Sequence, residues 1–225
     1  MERLQQNKAG ITMIRQQAVN IFINTDVKEE CNLFQSKILQ KTEHSLDAIV
    51  KEIEEQIALF YKQIVIQQKQ NKKSAVNYIQ FSFLLYPIKQ HKVQILAEAF
   101  SEEWYFGDSI CETKISIPYL EKELHQLYEI LLQKRKRFIG KVTKTDIERI
   151  MLGEWKAYQE IQEALLKYAL EISLDEKELE YMIKADEIPV FAGEYRGEFH
   201  QIYTINALSK QLREVFYGLF SNKTV

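Results

Sequence analysis

Four polar side chains in the segment FAGEYRGEFHQIY are the residues best suited to chemistry: Glu194, Arg196, Glu198 and His200. Read as one strand from Phe191 to Ile205, the segment alternates, placing these four on one face and Phe191, Tyr195, Phe199 and Tyr203 on the other. Two carboxylates flanking a guanidinium, with an imidazole next, could orient a substrate and move a proton. A carboxylate beside His200 would favour the imidazolium and raise its pKa. The competing reading is a solvent-facing row of alternating charge, a common guard on an edge strand. Gly193 or Gly197 could introduce a bulge that flips the register.

Two further groups of residues invite a function. Trp104, Tyr105 and Phe106, with Asp108 and Glu112, could form an aromatic wall beside carboxylates, as in a ligand pocket; such aromatics far more often serve as core. Lys134, Arg135, Lys136, Arg137, Lys141 and Lys144 form a basic run with no acid between them. That run could neutralise phosphates and bind nucleic acid in a salt-dependent way. It also suits a solvated helix C-terminus, where cations favour the dipole. On the second reading, changing Arg135, Lys136 and Arg137 together to glutamine leaves the fold intact. No Gly-rich phosphate loop, zinc-type Cys/His spacing or nucleophile motif occurs. No cofactor or metal is therefore expected. Cys31 and Cys111 are eighty positions apart and read as reduced, buried thiols. His44, His91 and His125 stand alone in sequence.

These residues must be held by a helix-rich α+β framework. The clearest sheet signal spans Ala75 to Ile117. Ile79, Phe81, Phe83 and Leu85 alternate with Gln80 and Ser82, as in a strand with one face buried. Pro87 ends it, and Val93, Ile95, Ala97 and Ala99 carry a second strand. A third is expected from Trp104 through Ile110 and Cys111, with a bulge at Gly107-Asp108. The simplest arrangement is a small antiparallel meander over about 76–117, packed against long amphipathic helices, with a further extended segment near 189–205.

Helix is expected over most of 11–73. The spacing of Ile11, Ile14, Ala18, Ile21 and Phe22 predicts a first stripe. Asn24-Thr25-Asp26 reads as a break with a cap, and Thr42 to Ser45 as another. The strongest stripe is Leu46, Ile49, Ile53, Ile57, Phe60 and Ile64. Gln56 and Gln63 at would-be heptad positions argue against an extended coiled coil. Pro118 opens a helix with Leu120, Leu124, Leu127 and Leu131. Another begins near Lys144-Thr145, with Ile147, Ile150, Met151, Trp155, Tyr158, Ile161, Leu165, Tyr168 and Ile172 inward, and the two should form a helical hairpin around Gly140. A short acidic helix follows Ser173. A last helix is expected after Asn206, bearing Leu208, Leu212, Val215, Phe216 and Leu219. The chain reads as one domain over 1–225, in segments 11–73, 75–117, 118–172 and 173–225.

With 225 residues, 46% apolar and 28% charged, the chain can fill one core, and a formal net charge of −2 gives no general pull toward nucleic acid or anionic membrane. No run reaches the ~18 apolar residues of a membrane span, and no signal region opens the chain. The expected setting is cytoplasmic. The pattern favours a non-catalytic interaction, accessory or regulatory protein with a protein partner or a second copy, since its apolar stripes exceed what a three-stranded sheet covers. The alternatives are an enzyme or ligand binder using the Glu194–His200 row, and a nucleic-acid binder using the basic turn.

Overall fold

The structure, a computed structural model, describes residues 14–70, 74–85, 92–173 and 177–206, save the side chains of 155–157, 177 and 178. Pro87, His91 and the helix expected after Asn206 lie outside the described residues, as does the side chain of Trp155.

Helix α1 (Arg15–Phe22) runs through a π-turn (Ile23–Val27) into α2 (Lys28–Gln70). The expected break at Asn24-Thr25-Asp26 is therefore a change of helical pitch. Asn24 and Thr25 return their side chains to the carbonyls of Asn20 and Ile21 instead of capping a new helix. The second expected break is real. Ser45, with φ −123° and ψ 17°, kinks α2 where the cap was read. Beyond it Ile49, Ile53, Ile57, Phe60 and Ile64 are buried, with Leu46 partly so.

That face packs on a five-stranded mixed sheet: β1 (Tyr78–Phe83), β2 (Gln94–Phe100), β3 (Cys111–Ser116), β4 (Glu187–Glu194) and β5 (Phe199–Asn206), in the order β3-β2-β1-β4-β5. The fold is α+β and helix-rich. The meander exists as β1, β2 and β3, each antiparallel to the next. It is not the whole sheet, because β4 pairs with β1 in parallel and β5 returns antiparallel. Phe60 of α2 meets Phe81 of β1 edge-on, ring centres 6.4 Å apart.

The sheet's central strand departs from expectation. Ile79, Phe81 and Phe83 face the helices, yet Gln80 and Ser82 on the opposite side are also buried. The third strand starts at Cys111, and Trp104–Phe106 is a 3₁₀ turn. What covers Gln80 is that turn.

Polar side chains of α2 tie the sheet in place. Gln68 is buried and its amide donates to the carbonyls of Ser74 (2.8 Å) and Ile183 (2.7 Å) while accepting from the Ile183 N–H (3.1 Å). Gln56 pairs with both backbone groups of Ser116 on the β3 edge, at 2.9 and 2.8 Å. The glutamine that counted against a coiled coil thus has a specific role.

Pro118 opens α3 (Pro118–Lys134) as read, and Leu120, Leu124, Leu127 and Leu131 are buried. The cap of α4 (Lys144–Ile172) is Thr143, reciprocated by Asp146 in a capping box. Burial opposes ionisation of Asp146, but the Thr143 N–H and hydroxyl and the Arg15 guanidinium outweigh it and lower its pKa. α4 lies mainly along α2 rather than α3. Its stripe begins as expected with Ile147, Met151 and Tyr158, but Tyr168 and Ile172 are exposed and Leu166, Ala169 and Leu170 are buried instead. A seven-residue spacing drifts about 20° per repeat on a straight helix, enough to move the inward line by one position. The short helix α5 (Lys177–Tyr181) leads back to β4.

Both thiols are free and buried; burial, then Glu154, pushes Cys31 up to about 12. Among the described residues no helix is long and apolar enough to cross a membrane.

Replacing Ile53 or Phe60 by alanine should destabilise the protein by about 2–5 kcal/mol. Replacing the exposed Glu52 or Glu55 should change stability by about 0.5 kcal/mol or less. Urea midpoints at unchanged m-value measure both, and similar losses in the two sets would contradict the assigned face.

Candidate functional site

The face of the sheet turned away from α2 carries the polar alternates: Gln80 and Ser82 of β1, Glu98 of β2 and Glu112 of β3, with Phe191 and Gly193 of β4 beside them. The ten residues linking β2 to β3 fold back over it. Trp104 stacks on Tyr78 at 4.6 Å and on Tyr105 at 5.0 Å, and leans on Phe191 at 5.0 Å. The Tyr105 hydroxyl donates to Gln80 Oε1, and Gln80 Nε2 donates to Ser82 Oγ at 3.2 Å. These bonds let a carboxamide and a hydroxyl be buried in the central strand, where an unpartnered polar group would cost about 1–3 kcal/mol.

The turn between β4 and β5 makes the opposite wall. Gly193 sits so close to the returning strand that a Cβ there would lie 2.1 Å from the Glu198 carbonyl oxygen. The Gly197 N–H donates to the Glu194 carbonyl at 2.8 Å, closing a four-residue turn. Its third residue is Arg196, at φ 61°, the place where glycine is usually found. Arg196 lays its guanidinium over the Tyr195 ring, 5.3 Å from the centre. Trp104, at φ 46°, is the other non-glycine residue in the left-handed region among those described. Strained backbone of this kind concentrates at working sites, and both residues belong to the walls of one site.

Between the walls is an open pocket of about 560 Å³. Gln80, Glu98, Asp108 and Arg196 supply its polar lining, and Phe100, Tyr105, Tyr195 and Phe199 its aromatic lining. Burial, and then the facing Glu112, raise the pKa of Glu98. The Tyr105 phenol is also raised, by desolvation that its bond to Gln80 partly offsets. The pocket lining holds no histidine or cysteine, and the base beside its one serine, Ser109, is the weakly basic carboxylate of Asp108. Carboxylates against aromatic faces suit binding of a positive group rather than nucleophilic attack. Among the described residues no three His, Cys, Asp or Glu side chains are grouped to hold a metal ion.

The row Glu194, Arg196, Glu198 and His200 does not exist as one strand face. A hairpin turn intervenes, because Tyr195-Arg196 reverses the chain where continuous alternation was assumed. Arg196 lines the pocket. Glu194 projects from the helix-facing side of β4, opposite Phe83, and Glu198 stays in the turn. His200 reaches α4, its Nε2 3.1 Å from Glu163 Oε2, so its carboxylate partner is Glu163 and not Glu198. Burial works against ionised Glu163, and Lys167 and His200 overcome it to lower its pKa.

Tyr105 and Asp108 line the pocket, Trp104 backs it and Glu112 faces Glu98 from the next strand. The aromatics of 104–106 are not core, since Tyr105 is 57% and Phe106 100% exposed. Gln80, Glu98, Phe100, Tyr195 and Phe199 were missed. The available signal was the outward position of Glu98 in β2, directly across from an outward Glu112.

The basic run is largely engaged within the molecule. Lys134 pairs with Glu30 (2.5 Å) and Glu29 (3.4 Å), and Arg137 with the buried Asp26 of the π-turn. Arg135 donates to the Val142 carbonyl at 3.4 Å, and Lys136 to Gln133 at 2.5 Å. The triple change to glutamine should therefore cost stability, because it removes the partner of a buried carboxylate.

No protein-family model matches this chain, and neither does any curated protein or solved structure.

Arg137→Gln should lower stability by about 1–3 kcal/mol, since Asp26 is left buried without its cation; Lys136→Gln should change it by about 0.5 kcal/mol or less. Equal effects on denaturant midpoints would mean that Asp26 does not depend on Arg137. Glu98 has the opposite sign. Its raised pKa means the folded state binds more protons than the unfolded one, so its ionisation opposes folding as pH rises through the folded value. Glu98→Gln should be as stable as wild type or more so at pH 7, the gap closing below about pH 4. A variant less stable than wild type at pH 7 would contradict this.

Proposed function

We propose that this chain is a non-catalytic interaction protein that receives a partner on the outer face of its sheet. The single observation that carries the reading is Phe106, wholly exposed at the tip of a turn that folds back over that face. Tyr105 and Tyr195, 57% and 44% exposed, stand on the two walls of the adjoining pocket. Exposed aromatics around a concavity are what a partner-binding surface needs, because they offer large contact area at low entropic cost.

The buried stripe of α2 is not available for self-association. Ile49 through Ile64 are already spent on the internal core. A small-ligand reading of the same pocket is favoured by its volume, which falls within the usual range of roughly 300–1,000 Å³. The nucleic-acid reading is weakened by the internal pairing of Lys134 and Arg137.

The test uses the full chain as bait in extract from its own cells, beside Phe106→Ser and Arg196→Ala. Both substitutions lie on exposed positions, so thermal midpoints should stay close to wild type. Wild type should retain a defined partner that both variants lose. Identical retained proteins in all three would remove this face from consideration.

A further inference from the structure

We propose that the outer-face pocket takes the cationic end of a lysine or arginine side chain presented by an extended segment of the partner. The inference rests on the interaction reading above and specifies its chemistry.

Buried and half-buried carboxylates elsewhere provide the contrast. Asp26, Glu30, Glu123, Asp146 and Glu163 each have a cationic partner within 3.3 Å. Glu98 differs from these five. It is half-buried in the pocket lining that it shares with Asp108, Glu112 faces it from the next strand, and none of these three carboxylates makes an ion pair among the described residues. Arg196 itself is stacked on Tyr195 and neutralises none of them. Burial of Glu98 opposes its charge, and no protein cation answers it. A carboxylate kept half-buried beside a second carboxylate is held at a disadvantage that an incoming cation would relieve.

The rest of the lining fits the same guest. Phe100, Tyr105, Tyr195 and Phe199 offer ring faces to a positive group and apolar surface to its alkyl stem. An anionic ligand would meet two carboxylates for one guanidinium. A bare metal ion would find no three-ligand cluster among the described residues and would make no use of Phe106. A side chain borne on a peptide uses both, with the cation at Glu98 and Asp108 and a neighbouring apolar residue against Phe106. Arg196, on the rim, is then free to donate to a carbonyl of the segment.

The probes are N-acetyl-arginine methylamide and N-acetyl-lysine methylamide, with N-acetyl-citrulline methylamide as the neutral counterpart. Binding to the full chain is followed by amide chemical shifts near Glu98, Tyr105 and Gly197, and by the fluorescence of Trp104. The cationic probes should saturate at millimolar concentration and the citrulline probe should not bind. Glu98→Gln and Asp108→Asn should each weaken cation binding by about tenfold, the loss expected for one charge-assisted hydrogen bond. Both should also weaken retention of the partner. Equal binding of citrulline and arginine probes, or no binding of any, overturns the inference. So does concentration-dependent dimerisation that the probes displace, which would make a second copy the occupant. If Glu98→Gln retains the partner while Phe106→Ser loses it, the cationic contact is wrong and the binding face stands. If Phe106→Ser and Arg196→Ala also retain it, the face itself is wrong.

Discussion

One buried carboxamide lies where the two halves of the sheet meet. Gln68, near the end of α2, bonds the backbone on both sides of the gap: Ser74 before β1, and Ile183 before β4. Beside it, Val76 and Ala185 exchange backbone bonds with Ile183 and Val76, both at 2.9 Å. These strands are more than a hundred residues apart in sequence and pair in parallel. Bringing their entries together carries a large closure entropy, so the register needs local definition. A slip by one residue would turn Val190 and Ala192 out of the core and Phe191 into it. Both walls of the outer-face pocket are fixed by this alignment, since one wall rises from the β2–β3 link and the other from the β4–β5 turn.

The same alignment explains why a polar row in the central strand is tolerated. Gln80 and Ser82 are satisfied by each other and by Tyr105, and Trp104 seals the arrangement against Tyr78 and Phe191. The stabilising part of the molecule is the helix side, where aliphatic and aromatic side chains fill one continuous core. The outer side holds the opposing features: two left-handed backbone positions, an uncompensated carboxylate and a bare phenylalanine. Segregation of that kind is the usual division between scaffold and site.

What the sequence conveyed was local. The stripe from Ile49 to Ile64, the alternation of Ile79, Phe81 and Phe83, the proline start of α3 and the kink near Ser45 each follow from neighbouring residues obeying one period. The parallel pairing of β1 with β4 has no local signature, so a three-stranded sheet was the simplest inference. The hairpin at 195–198 was hidden for a specific reason. Glycine marks the left-handed position of most such turns, but here Arg196 occupies it and Gly197 follows. Without a glycine in place, alternation across Glu194 to His200 reads as unbroken. Of the candidate site, Tyr105, Asp108 and Arg196 were singled out from sequence, although in two separate groups. Glu98 and Gln80 were not, because their importance arises from what folds over them.

The π-turn at Ile23–Val27 has a bearing on how the chain tolerates changes in length. An α-helix advances about 100° per residue, and a π-turn accommodates one residue more than the α-helical turn it replaces. A lineage that lost Asn24 would close a regular helix there with the turns on either side still in phase, Ala18 and Phe22 facing the core and Arg15 toward Asp146. Were all the present residues wound as unbroken α-helix instead, everything before Asn24 would swing by about 100° around the axis, taking Ala18 and Phe22 out of the core and Phe22 away from Phe138. The locally less favourable helix thus absorbs one residue without changing the face that the N-terminal turns present, and a single-residue deletion within Ile23–Val27 should be tolerated better than one between Ile49 and Ile64.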